Sequence, residues 1–563
     1  MTLWIAPEWT MLPLAAQRCR VRNPFNGVVA ELSREQYAVL TACEGCATLE
    51  QHYSAVLSKL QVRFEHRATV MQWVRDFATA RLLVSIAEAS GNLGHAQMAP
   101  AAFAGVFIRT CDRPRLLARV LGAAAALEAR HGTRYAFTIL DDSREIANRT
   151  ANREAAGQSG LDVRYLDLGE ATPLERALRA LPGVSTELDW LVGAPAAGEA
   201  TYGRPVNLAL LLTAGRRFLL LDDDALPEAR GAPHAEAGIS VSSEADDLTA
   251  FSDWPALEAR CPPVDVDPFK AHLDVLGQTV VRAFNDASTI TLASNDLPRF
   301  VPDARFVFSQ NGALGDPGSS LFPYHLLALS ERSLKRNPDA SLALRQRIDW
   351  RGHDRLRLAP TRPLTFTTLA GLDNAMLLPP TVRAHRNEDL LLGELAQHAH
   401  PGAWFVDLPW ALPHRREPEK HWLGPTDPFA QEPVHFVLDY LSERVGALAS
   451  EGAEQRLATL AAMLEDLAHA SEARLTELLE EHVADTSTRV LFAIANRLDD
   501  PATPAAWKDE LRPWQRSPAL ALDAASIRAR IVSPPSMRAL ARSYGSALHA
   551  WPELWRAAAQ HAG

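Results

Sequence analysis

Three adjacent carboxylates, Asp222, Asp223 and Asp224, follow the apolar run RRFLLL. Carboxylates this close at the end of a buried strand repel one another, and their plain use is a solvated turn that caps the next element. On an extended strand Asp222 and Asp224 point to the same side. So placed they suit one hard divalent cation, Mg²⁺ or Mn²⁺, whose oxygen ligands can include a diphosphate. Other groups with chemistry recur at similar places. Thr110, Cys111, Asp112 and Arg113 close the run GVFIRT, and Asp141 and Asp142 close YAFTILDD. In RNEDLLLGELAQHAH, Asn387 is a good helix N-cap ahead of Glu388 and Asp389. The helix dipole stabilises anions in a first turn, so one of these carboxylates is expected to be ionised at neutral pH, a weak but usable general base. His414 ends a short apolar segment in DLPWALPHRRE. A lone histidine is more often structural than a metal ligand, so ligation is the sharper of two readings.

These residues need elements to hold them. GVFIRT, YAFTILDD and RFLLLDDD are short apolar runs separated by helical stretches such as RPRLLARVLGAAAALEAR. That alternation predicts an α/β fold with a mainly parallel sheet over residues 103–428. Ligands of such sheets bind beyond the carboxyl ends of the strands, where the polar groups above are expected to meet. Residues 228–330 are rich in Ala, Gly, Pro and Asp and read as an insertion with long loops. Within them SQNGALGDPGSS, residues 309–320, is expected to be a surface loop or a mobile lid over an acceptor. From 429 to 563 the chain reads as an α-helical domain. Val434, Val437, Leu441, Val445 and Leu448 share one helical face, as do Leu457, Leu460, Leu464 and Leu467. These stripes are packing surfaces and a candidate contact for a homo-oligomer.

Residues 1–90 read as a small domain of their own. Ser33 with Gln36 and Thr48 with Gln51 form capping boxes that open two helices, and a third helix is expected from about Arg67 to Ala80. It leads to the strand-like LLVSI, which makes a winged-helix-like pattern. Nine Lys and Arg against eight Asp and Glu leave this stretch with almost no charge for holding DNA. SGNLGHAQMAPAA reads as the linker that follows.

Composition narrows the classes. The chain has 563 residues, 47% hydrophobic and 22% charged, with a formal net charge of −11. That length fits about three domains, and the acidity argues against a general nucleic-acid or anionic-membrane binder. No apolar run reaches the roughly 18–20 residues of a membrane span, and the N-terminus does not read as a signal peptide. Five cysteines make no disulfide framework, and the lone pair Cys43 and Cys46 has no second pair to complete a zinc site. Reduced thiols and a cytoplasmic location are the expectation.

Taken in order, TCDR, ILDDS, GRPVNLALLLTAG, LLLDDDALP, RNED and LPHRRE resemble the GT-A glycosyltransferases, chiefly the large inverting family related to cellulose and chondroitin synthases. The resemblance spans roughly residues 103–420. It implies a GT-A, Rossmann-like sheet and a metal-dependent transferase that moves a sugar from a nucleoside-diphosphate donor, UDP first among them, to a glycan or to a peptide or protein. It implies that Asp142 contacts the nucleoside with Thr110, Asp112, Arg113 and Asp141 beside it. Gly203, Arg204 and Asn207 would line the donor pocket. Asp222 and Asp224 would bind Mn²⁺ or Mg²⁺ and diphosphate with Asp223 between them, and His414 would complete the metal site. Asp389, with Glu388 next to it, would be the catalytic base. The first 90 residues resemble the PqqD-type peptide-recognition domains of ribosomal-peptide maturation, which implies docking of a peptide. No QxxRW-like motif follows, so a processive synthase is not expected. The rival readings are a nucleotidyltransferase, which normally adds a basic Gly-rich signature near the first strand, and a non-catalytic binding protein on a transferase fold.

Overall fold

The computed structural model describes residues 2–14, 17–94, 99–196, 199–243, 246–285, 290–292, 294–315, 329–339, 348–361, 368–415, 433–445 and 452–562. At its centre is a mixed sheet. Read across from one edge, its strands are Asp162–Asp167, Ala136–Asp141, Phe103–Thr110, Arg217–Asp222, Leu369–Asp373, Arg305–Gly315, Ala403–His414, Leu356–Ala359, Ile239–Val241 and Ile290–Leu292. Along this path six pairings are parallel and three antiparallel, the latter around Leu369–Asp373 and between Leu356–Ala359 and Ala403–His414.

The first four strands of this sheet in chain order are parallel neighbours, and their spatial order reverses beside Phe103–Thr110. From that strand the chain winds outward through Ala136–Asp141 to Asp162–Asp167, then returns to add Arg217–Asp222 on the other side. Such a reversal is a topological switch point, where helices leave in opposite directions and a crevice opens at the carboxyl ends. Thr110 and Asp222 stand at that opening.

Strand periodicity accounts for the packing. Phe107, Phe218 and Leu220 face a core shared with Leu208, Leu211, Leu391 and Leu395. Val106, Ile108, Leu219 and Leu221 face the opposite core, with Leu117 and Leu121 of helix Pro114–His131 and with Phe137 and Ile139. Both faces are therefore covered, which is why these strands read as continuous apolar runs rather than alternating ones.

The C-terminal helices belong to the first of these cores. Leu457, Leu460, Leu464, Leu467, Tyr544 and Trp551 lie in the same apolar cluster as Leu220 and Leu391. Helix Pro534–Ala562 is also fastened by polar bonds to the segment leading into the acidic first turn at Glu388. Tyr544 donates to the Pro380 carbonyl at 2.8 Å, Trp551 to Leu378 at 2.6 Å and Trp555 to the Asn374 side chain at 3.0 Å. Val434, Val437, Leu441 and Val445 are buried along one face of helix Pro433–Val445, and Leu448 lies outside the described residues.

Near the N-terminus, Ser33 and Thr48 cap helices Arg34–Ala42 and Leu49–Leu60 with complete capping boxes, and helix Arg67–Thr79 follows. The winged-helix pattern overlooked an antiparallel sheet of Thr10–Leu14, Arg18–Arg22 and Val29–Ser33 that precedes them. Its strands are short and mostly exposed, so their apolar signal is weak.

The supposed insertion needs correcting. Arg305–Gly315 is a buried strand in the middle of the sheet, so SQNGALG is neither surface loop nor lid. Its Gly312 packs so closely on the Arg351 carbonyl that a Cβ would collide with it. The glycine serves strand approach, not flexibility. Residues 316–320 lie outside the described residues. All five cysteines are free thiols, and burial pushes Cys43 and Cys46 up to about 12. Among the described residues no helix is long and apolar enough to cross a membrane.

Candidate functional site

Three strand ends and one helix start converge at the switch point. Arg217–Asp222 runs parallel to Phe103–Thr110 with Asp222 in register with Arg109. The strand stops at Asp222, and Asp223 and Asp224 enter a turn. The alternation argued for Asp222 and Asp224 therefore does not continue through them. The Asp222 carboxylate accepts a bidentate pair of bonds from Arg109, Nε to Oδ1 and the longer Nη2 to Oδ2 at 3.3 Å. Asp223 accepts from the Thr110 hydroxyl at 2.7 Å and from Arg113 at 3.2 Å. Asp224 accepts from Arg113 at 3.1 Å, and its Oδ1 lies 2.9 Å from His414 Nε2.

Backbone pairing explains how residue 414 reaches residue 224. Strand Ala403–His414 ends alongside the acidic turn, where the Leu226 amide donates to the Pro413 carbonyl at 2.9 Å and the Arg415 amide to the Asp224 carbonyl at 3.0 Å. Arg415 then stacks over Trp254, 4.3 Å from the ring centre. The rest of the HRRE motif lies outside the described residues.

Helix Glu388–Ala399 delivers the last two carboxylates. Asn387 occupies the cap in a left-handed conformation, φ 67°, but its side chain makes no capping bond; the expectation of an N-cap there holds for position and not for mechanism. Glu388 is buried and accepts from Arg109 Nη1 at 2.9 Å. Asp389 is half-buried, and its Oδ1 accepts from the Leu390 amide at 2.8 Å. Burial first, then the neighbouring Glu388 charge, pushes the Asp389 carboxyl up to about 7. The dipole does not hold it low, as position in the helix alone implies. Burial, then Asp224, likewise raises Asp223 to about 7.

Several residues expected to contact the donor are hydrogen-bonded within the fold. Asp141 is fully buried and accepts from the Ser143 amide, the Asn152 side chain and the Tyr165 hydroxyl. Asn207 is fully buried and strapped to Thr381 in both directions, 2.8 Å and 2.9 Å. Arg204 spends its guanidinium on the carbonyls of Val192 and Leu168 and on Asp142. Asp142 accepts from Arg204 and from Thr201. Asp112 accepts from the amides of Arg144 and Glu145 and from Asn148, each at 3.1 Å, and so organises the turn before helix Ile146–Gln158. Polarity near a strand end marks Asp112, Asp141 and Asp142 alike, whereas of the three only Asp141 is fully buried. Gly203 is required by contact, because a Cβ there would collide with the Val382 carbonyl. Arg109 is the residue that sequence reading missed. It lies within GVFIRT as the single charge of an apolar strand, which was the available signal.

The donor set can be tested against a divalent cation. Among the described residues no three His, Cys, Asp or Glu side chains form a ready-made metal cluster. Asp224 Oδ1 and His414 Nε2, however, are 2.9 Å apart, close to the edge between adjacent ligands of an octahedral ion at about 2.1 Å. Hard cations of this kind are commonly held by one or two protein groups plus substrate phosphates and water. The pair fits such an ion, with the present hydrogen bond exchanged for coordination.

No family model matches the chain, and no curated protein matches it. Among solved structures it is similar to a galactosyltransferase LgtC in complex with donor and acceptor sugar analogs, at 18% identity over 37% of this chain and 75% of that chain, with a TM-score of 0.14. A likeness at that score carries no argument. The class defined by strand order and site is a mixed α/β protein with an acidic, arginine-lined crevice at its switch point.

Proposed function

We propose that the chain is a metal-dependent glycosyltransferase that uses a nucleoside-diphosphate sugar, with a uridine donor as the leading candidate. One observation carries this reading. The acidic turn, the Asp224–His414 pair, the cationic Arg113 and the Asp389 carboxyl, raised to about 7, all lie at the same strand-end region of the sheet. Asp224 and His414 would hold Mn²⁺ or Mg²⁺ against the diphosphate. Bound there, the ion supplies positive charge that lowers the energy of the departing nucleoside diphosphate. Arg113, 45% exposed at its side chain, is free enough to shift from the two aspartates towards a phosphate, which arginine binds in a bidentate fashion.

Asp389 is the group suited to take a proton. Its Oδ1 receives the Leu390 amide, and no other hydrogen bond among the described residues reaches the carboxylate. A base works best when its pKa lies near the working pH, and about 7 meets that condition. The acceptor oxygen attacks the anomeric carbon, whose bond to the β-phosphate oxygen breaks with its electron pair leaving on that oxygen. Asp389 receives the hydroxyl proton, and a single displacement inverts the anomeric centre. The first 90 residues would present a peptide or protein acceptor.

Thermal unfolding with nucleoside diphosphates and Mn²⁺ tests the reading, because a bound ligand raises apparent stability. A concentration-dependent rise for UDP with Mn²⁺, absent with either alone, supports it. No rise with any nucleoside diphosphate would refute it.

A further inference from the structure

Arg109 joins two parts of the site that lie far apart in the chain. Its guanidinium binds Asp222, its parallel neighbour in the sheet, and reaches Glu388, 279 positions away, at 2.9 Å. All three side chains are largely buried, at 18%, 19% and 9% exposure. One cation thus serves two desolvated carboxylates. Removing one member of such a group leaves the others uncompensated, which is far costlier than losing a surface pair.

The helix start is also held from behind. The Thr381 hydroxyl donates to the Glu388 carbonyl at 2.6 Å, and Thr381 is itself strapped to Asn207. The first turn is therefore fixed at two points, by a side chain towards the acidic turn and by backbone on the other side. Successive helical residues are about 100° apart. Arg109 bonds Glu388 at 2.9 Å, whereas the neighbouring Asp389 only lies close enough to feel the Arg109 charge and takes its hydrogen bond from the Leu390 amide.

We propose that Arg109 is the positioning residue of this site: by clamping Glu388 to Asp222 it sets the first turn of the helix so that Asp389, and not Glu388, is presented to the reacting centre. The proposal rests on the transferase reading above. A planar fork bonds both partners at once, whereas an ammonium meets them as a point charge, so lysine does not replace it.

The test uses the full chain, with UDP and Mn²⁺ as the binding probe and hydrolysis of UDP-glucose as the rate probe. Misplacing a reacting group by about 1 Å costs on the order of 10²-fold. Arg109→Gln and Arg109→Lys should therefore slow hydrolysis by about that factor while UDP affinity is nearly kept. Glu388→Gln should slow it similarly, and the Arg109→Gln/Glu388→Gln double variant should be no slower than either single one. Added methylguanidinium should restore part of the rate to Arg109→Ala. A fully active Arg109→Lys, multiplying losses in the double variant, or UDP affinity that falls as far as the rate would each overturn the clamp. Should Arg109→Gln fail to fold, Glu388→Gln removes the same bond from the other side. If the wild-type chain binds no UDP, the transferase reading fails separately. The clamp is then decided by unfolding midpoints of the two single variants and the double: coupled shifts uphold it and additive shifts overturn it.

Discussion

His414 Nε2 lies 2.9 Å from Asp224 Oδ1, although one residue ends strand Ala403–His414 and the other lies in the turn after strand Arg217–Asp222, far away in the chain. The contact follows from backbone pairing. The end of Ala403–His414 lies beside the acidic turn through an isolated bridge between His414 and Ala225, so the imidazole has little choice of neighbour. A histidine in contact with a carboxylate is either a hydrogen-bonded pair or half of a metal site, and titration with a metal separates the two.

Asp224→Asn and His414→Gln should each abolish the Mn²⁺-dependent part of UDP binding while the fold persists. Calorimetry with and without Mn²⁺ checks this. Asp222→Asn should weaken binding less, since its carboxylate is turned onto Arg109. Unchanged Mn²⁺-dependent affinity in both the Asp224 and His414 variants would remove the metal from this site.

Asp389→Asn keeps the size of the side chain and removes the base, so transfer should fall by roughly 10²–10⁴-fold with donor affinity nearly intact. Single-turnover rates decide it. A near-normal rate in this variant would place the base elsewhere.

The raised Asp389 pKa makes two pH predictions. A base must be deprotonated, so the wild-type rate should climb with pH through about 7. Stability runs the other way. The folded-state pKa lies above the unfolded value of about 3.9, so the contribution of Asp389 is fully favourable below that value and is lost as pH rises through about 7. Asp389→Asn should accordingly unfold at a higher temperature than wild type at pH 8, with the gap closing towards pH 4. A pH-independent gap would mean that the carboxyl titrates normally.

Gly312→Ala tests the corrected account of residues 305–315. In a mobile lid the substitution would be nearly neutral. In a central strand pressed against the Arg351 carbonyl it should cost at least the 1–3 kcal/mol, roughly, of an overpacked core. Urea unfolding distinguishes the two.

Removing residues 1–90 should leave UDP-glucose hydrolysis intact and weaken transfer to a peptide or protein acceptor. Equal transfer rates with and without the segment would reduce it to a scaffold. The truncation uncovers Phe300 and Trp404, which share an apolar cluster with Ile5 and Val84, so polar replacement of Phe300 accompanies it.

Local signals were legible in the residues alone. The strand ends at Thr110, Asp141 and Asp222, the capping boxes at Ser33 and Thr48, and the apolar stripes of the C-terminal helices all follow from periodicity and capping within a few positions. Their physics acts between near neighbours, so one stretch of chain contains the whole cause. The tertiary structure alone decided which polar groups remain available. Asp141 and Asp389 look alike as strand-end and helix-start carboxylates, yet one is enclosed by Ser143, Asn152 and Tyr165 and the other is left with a single amide. The same holds for Arg109, whose partners come from a neighbouring strand and a distant helix, and for the upward shift of Asp389, set by burial and summed charge. These properties belong to surroundings assembled from remote segments, and no local pattern encodes them.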